Sequence, residues 1–182
     1  MSEIKVNSIK GVGASAAAIT VNNTDGSCAV NNTQRQGKNL VINGAFQINQ
    51  RTATSSTASG IATVDRFGMY HTGIDEAPTQ EQGSVTSGGA YDSGFRKCLK
   101  VTNGNQTSGG GAAKYIWIQN ILEAQNISNS GWNYKSSSSF ITVQFWVKSS
   151  VAQNFYGYVR TVDGSNYLYP FETGTLTADT WT

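Results

Sequence analysis

The side chains able to do chemistry in this 182-residue chain are few and scattered. His71 is the only imidazole, and no serine or cysteine stands in the strand-to-helix turn that activates a nucleophile. Glycoside cleavage would need two carboxylates facing each other across a short gap. Asp65, Asp75, Glu76, Glu81, Asp92, Glu123, Asp163, Glu172 and Asp179 are instead spread along the chain, with Asp75 and Glu76 in a loop. Cys28 and Cys98 have no Cys-x-x-Cys or Cys/His companion, so two unpaired thiols are expected. These residues predict neither an enzyme nor a cofactor.

The remaining chemistry is aromatic. Residues 140–149 show the cleanest alternation: Ile141, Val143, Phe145 and Val147 share one face, and Phe140, Thr142, Gln144, Trp146 and Lys148 the other. Residues 154–162 repeat the pattern, with Phe155 and Val159 inward and Tyr156, Tyr158 and Arg160 outward. Residues 113–121 do so again, with Ile116 and Ile118 inward and Tyr115, Trp117 and Gln119 outward. If these strands share a sheet, Trp146, Tyr156, Tyr158, Tyr115, Trp117 and Arg160 form one aromatic outer face. Three uses of it are open. Rings beside amides and a guanidinium suit a sugar, whose C–H faces stack on them. Tyr, Trp and Arg are also the favoured anchors of a subunit interface. Alternatively, a loop such as 128–139 folds over the rings and makes a second small core.

These strands belong to a β-rich body beginning at Asn39. Strands are predicted over 39–50, 64–71, 83–88, 97–103, 113–121, 140–149, 154–162 and 166–172. Thr52–Gly60 and Thr107–Gly111 read as flexible loops and Ser136–Ser139 as a polar connector. Ile118–Ile127 carries only a hint of a helical turn. About eight short strands at this spacing predict an all-β fold, a two-sheet jelly-roll sandwich. Residues 1–38 differ: Ile4-Lys-Val6, Ala16–Val21 and Ser27–Val30 are short apolar runs separated by Asn22–Gly26 and Asn31–Thr33. Asp25-Gly26 is the strongest hairpin signal. No run can bury its own face, so this segment is read either as an extended arm, with Ile4, Val6, Ile19 and Val21 as its apolar contacts, that needs copies of itself or a neighbouring protein as partner, or as a disordered tail.

Bulk properties narrow the class further. A net charge of +2 with no basic cluster gives no case for nucleic acid. Charged residues are 13% of the chain, about half the usual quarter, and Ser, Thr, Asn and Gly replace them. No apolar run approaches a membrane span, and Glu3, Lys5 and Lys10 occupy the place of an export signal's apolar core.

Three segments carry a resemblance: Asn39-Leu-Val-Ile-Asn-Gly-Ala-Phe-Gln-Ile-Asn-Gln-Arg51, Asp65-Arg66-Phe67 and Phe140–Ser150. Their spacing resembles the carbohydrate-binding-like β-sandwich modules of bacteriophage tail fibres and related virion proteins, over residues 39–182. The resemblance implies a virion component assembled in the host cytoplasm. Its residues 1–38 would dock to tail adaptor or nozzle proteins, and its sandwich would serve as spacer or host-glycan contact. By likeness to fibres in general it implies a homotrimer. It gives Asp65-Arg66-Phe67 a structural role as a strand opening. Thr177–Thr182 resembles the approach to a last sandwich strand, so the sandwich is expected to be incomplete at its C-terminal end. Many modules of this sort hold Ca2+, but no Asp-rich loop signals it here. A carbohydrate-binding module of a larger secreted hydrolase and a capsid decoration or head-fibre protein are the alternatives.

Overall fold

The computed structural model describes residues 6–15, 17–30, 39–51, 54–108, 111–162 and 164–182, and within them the protein is all-β. Its strands form small antiparallel ladders, joined by two short helical turns at Gly89–Asp92 and Ala124–Ser128. The chain divides into two units, Met1–Leu40 with Leu122–Ile141, and Val41–Ile121 with Thr142–Thr182.

In the first unit, β1 (Ser8–Ile9), β2 (Ile19–Val21) and β3 (Cys28–Val30) make a three-stranded antiparallel sheet. The turn at Asp25-Gly26 lies where the hairpin signal put it. Asp25 accepts the Ser27 amide and Asn22 accepts that of Thr24, so two short polar side chains hold the bend. Both hydrogen bonds from Ser27 depress the Asp25 pKa. Ile19 and Val21 are half-buried, Val6 is exposed, and Ile4 lies outside the described residues. Residues 130–139 close on themselves: the Trp132 indole donates to the Ser139 carbonyl and the Asn133 amide to the Ser139 hydroxyl.

The second unit contains β4 (Ser55–Ser56), β5 (Phe67–Thr72), β6 (Thr79–Ser84), β7 (Lys97–Thr102), β8 (Tyr115–Asn120), β9 (Asn154–Arg160) and β10 (Leu168–Thr175). They pair as β4–β6–β7, β5–β8 and β9–β10, all antiparallel. β5, β7, β8, β9 and β10 fall close to their predicted positions, because alternation of β-branched and aromatic residues is a local property. β6 lies four residues ahead of the expected 83–88. Among the described residues the ladders are separate and small, of two or three strands each.

Two expected strands are absent as strands. Residues 41–45 form a turn instead of the start of a strand over 39–50. Asn43 sits there with φ +59°, its amide donating to the carbonyls of Ile48 and Asp65 while its side-chain oxygen accepts the Ile48 amide. A short polar side chain that can satisfy three backbone groups outcompetes a ladder. Residues 140–149 likewise join no ladder. The Val147 and Thr182 backbones exchange a reciprocal pair of hydrogen bonds of 3.0 Å, and Asp179 donates to Ser149.

The apolar core of this unit is small. Val64, Phe67, Met69, Pro78, Val85, Ala90 and Leu176 are its buried apolar side chains among the described residues. Amides supplement it. Gln80 is fully buried on β6, donating to the carbonyls of Ala58 and Gly60 and accepting from the Thr63 hydroxyl. Gln82 reaches the Phe46 carbonyl at 2.7 Å, and Phe46 packs on Phe67 with ring centroids 4.6 Å apart. Residues 54–60, read as part of a flexible loop, are thus pinned to β6, and Gly60 also bridges Met69.

The loop at 104–108 is tied down as well. The Asp75 carboxylate accepts both the amide and the hydroxyl of Thr107 and of Ser108, while Glu76 accepts the Asn105 amide. The Ser108 bonds hold the Asp75 pKa far below its ordinary 3.8. A depressed folded pKa contributes stability that is complete well above 3.8, declines below it, and is gone once pH has fallen through the folded value. The Thr107 and Ser108 amide resonances are therefore expected to move only in acid well below pH 3.8. Asp75→Asn should release them at neutral pH, as read by amide exchange. Movement beginning at pH 4 would show that the clasp is not formed.

Candidate binding surface

The predicted site residues lie in three places. Tyr115 and Trp117 are on β8. The register pairs Trp117 with Tyr70 and Tyr115 with Thr72, so these four side chains share a face of the β5–β8 ribbon. The Tyr115 and Trp117 rings stack at 4.4 Å and 8°, and Tyr70 lies 6.2 Å from Trp117 at a tilt. Tyr115 is 40% exposed and Trp117 38%. The opposite face of β5 holds the buried Phe67 and Met69. The ribbon therefore has a dry side and an aromatic side, as the parity of 113–121 predicted for Tyr115 and Trp117. Ile118 departs from that reading. It sits across from Met69 but is 55% exposed, because Gly60 covers the far edge of β5 while β8 has no further strand beside it among the described residues.

Tyr156, Tyr158 and Arg160 are on β9, in a separate ribbon. They face outward as predicted, with Tyr156 81% exposed and the Arg160 guanidinium 5.9 Å from the Tyr158 ring. On the other face Phe171 lies across from Gly157, where a Cβ would come within 2.5 Å of its ring. Only glycine leaves that space. Phe145 packs on Phe171 at 5.9 Å, which gives the segment 140–149 its contact with this ribbon without a ladder. Phe155, expected inward, is still 38% exposed.

Trp146 is in neither group. Its ring lies on Gly89, where a Cβ would approach it to 2.7 Å, and Trp181 lies beside Gly88 with Lys148 over its ring. Trp146 therefore covers the helical turn Gly89–Asp92 while 38% of it stays exposed. The strands do not share a sheet, so these aromatics lie on two separate ribbons, with Trp146 apart from both on the Gly89 turn. Tyr70, the third ring beside Trp117, was not singled out from sequence; a period-two count through β5 places it on that face, but only the register places it opposite Trp117.

The motif residues 39–51 and 65–67 do meet. Asn43 joins them, Asp65 accepts the Gln50 amide, and the Arg51 side chain lies 3.5 Å from Asp65. Phe67 is buried at the start of β5, the structural role expected of Asp65-Arg66-Phe67. A cleft of about 320 Å³ opens beside them, walled by Ile42, Ile48 and Ile61. Its carboxylate is already engaged by protein donors, which leaves it a clasp and not a free acid.

Elsewhere the titratable groups are ordinary in placement. His71 lies 3.2 Å from the Thr57 carbonyl. Lys100 pairs with Glu81 at 2.6 Å across β6–β7, which raises its pKa at an exposed position where such a pair stabilises little. Cys28 and Cys98 are both free thiols. Burial raises the Cys98 pKa, and its sulfur fills the space beside Gly83. No three His, Cys, Asp or Glu side chains gather as a metal set among the described residues, and none of their helices could cross a membrane.

Comparison with known proteins adds no relative: no family model matches the chain, and neither a curated protein nor a solved structure matches it.

Proposed function

We propose that this chain is a structural subunit of a bacteriophage particle, a tail fibre component that works by surface contact and not by catalysis. Residues 1–38 attach it to the tail, and the β body presents aromatic surfaces to host glycan. The observation that carries this reading is the rail of exposed Trp117 and Tyr115 with half-buried Tyr70 beside them, opposite the buried Phe67 and Met69. A folded ribbon that keeps two stacked rings exposed, backed by a third, has surface for C–H stacking with a sugar, and Gln119 on the same face supplies an amide for hydroxyls. The resemblance of residues 39–51, 65–67 and 140–150 directs the assignment to phage fibres.

The experiment has two arms. Antibody labelling of purified particles should place the chain on the virion tail. The double substitution Tyr115→Ala, Trp117→Ala should lower binding to a host glycan array by at least about tenfold, roughly one to two stacking contacts, with the β circular-dichroism spectrum unchanged. A chain found only as a free secreted protein that keeps its glycan binding would favour a carbohydrate-binding module. Unchanged glycan binding in the double variant would sink the rail as the contact.

A further inference from the structure

We propose that the outer face of the β9–β10 ribbon is a self-association surface, which seats the same face of a second copy turned end for end. The register sets its membership. Tyr156 pairs with Glu172, Tyr158 with Pro170 and Arg160 with Leu168, so these six side chains share one face. The Thr161 amide donates to Tyr167, which makes 161/167, 159/169 and 157/171 the hydrogen-bonded pairs. The three outer-face pairs are then the non-hydrogen-bonded ones, in which side chains stand closest.

Nothing described covers this face. Tyr156 is 81% exposed, Leu168 59%, and Tyr158 and Pro170 are exposed between them. A two-stranded ribbon alone is marginal in water, and a contiguous apolar face of this kind marks an interaction surface. At about 200 Å² for a tyrosine the face offers on the order of 600 Å² per copy. Two such faces would bury roughly 1,200 Å², the lower end for a specific pair.

Charge selects the occupant and its direction. Arg160 and Glu172 are the charged members, and they stand at opposite ends of the face, with Tyr158 and Pro170 between. An end-for-end copy brings the Arg160 level of each over the Tyr156–Glu172 level of the other, so both ends meet opposite charge and the guanidinium meets an aromatic ring. A copy laid in the same direction would set arginine beside arginine and glutamate beside glutamate. Asn154 donates to Glu172 at 2.6 Å, which holds that carboxylate in place. Pairing by strand addition along β10 is disfavoured, because the nitrogen of Pro170 faces the outer edge and has no hydrogen to donate. Face-on packing remains. The inference rests on this face alone and holds whether or not the chain belongs to a virion.

Sedimentation velocity of the full chain across a concentration series tests it, with Arg160→Glu, Glu172→Arg and the double exchange beside the wild type. Each side chain is exposed, so folding should be unaffected, as checked by circular dichroism. The wild type should associate reversibly in twofold steps. Each single reversal should weaken that step by at least about tenfold, and the double exchange should bring it back to within about threefold of wild type. A wild type that shows no twofold step up to millimolar concentration, single reversals without effect, or a double exchange as weak as the singles would each overturn the proposal.

Discussion

Replacing Gln80 by leucine is expected to destabilise the second unit by about 3 kcal/mol, even though leucine is apolar and the site is fully buried. The glutamine amide donates to Ala58 at 2.8 Å and Gly60 at 3.0 Å, and its oxygen accepts from Thr63. Leucine keeps most of the volume but leaves the Ala58 carbonyl and the fully buried Thr63 hydroxyl without their Gln80 partner, and the Gly60 carbonyl with the Met69 amide alone, which costs more than the transfer of a side chain returns. The loss should appear as a lower denaturation midpoint, with residues 58–63 exchanging their amides early. Gln80→Glu supplies a contrast with a defined pH sign. A carboxylate there would be buried against two carbonyls, so its pKa would rise, and the variant should gain stability as pH falls through that raised value. A leucine variant within 1 kcal/mol of wild type would mean that the amide clasp contributes nothing net.

The second large effect is expected at Asn43. Alanine there removes three hydrogen bonds that join residues 43, 48 and 65 and leaves a Cβ at φ +59° without the local bonding that stabilises asparagine. The expected cost is about 2–3 kcal/mol. Glycine separates the two causes. It tolerates the positive φ but lacks the amide, so Asn43→Gly should be less damaging than alanine by roughly 1 kcal/mol and still clearly destabilised. Both variants should loosen Phe46 from Phe67, visible as faster exchange at the Ile48 amide and a change in the near-ultraviolet aromatic signal. Equal stability of the alanine and glycine variants would remove the backbone contribution.

Both residues show how the unit compensates for a small apolar core. Seven buried apolar side chains among the described residues are few for this length, and amide side chains take up the work of fastening segments that have no ladder. Gln80 fastens 58–63, Gln82 fastens 46–47, Asn43 fastens 48 and 65, and Asp75 fastens 107–108. A composition poor in charge and rich in Asn, Gln, Ser and Thr reads at first as a solvated surface. Here part of it is internal fastening, which also explains why loops judged flexible by composition are held.

Local pattern alone determined that this chain is built of β-strands, where β5, β7, β8, β9 and β10 lie, that Asp25-Gly26 bends the arm, and that Tyr115, Trp117, Tyr156, Tyr158 and Arg160 point outward. Those features follow from turn chemistry and from the two-residue period of a strand, which needs no knowledge of neighbours. Tertiary structure decided the rest. It made a turn of residues 41–45, because Asn43 found three backbone partners 5 and 22 residues away. It left the best alternating segment, 140–149, outside every ladder, because a strand exists only where another strand supplies its hydrogen bonds. It also put Trp146 on Gly89 and divided the remaining aromatics between two ribbons. Which strands share a sheet is a property of pairing, and pairing is settled by contacts far apart in the chain.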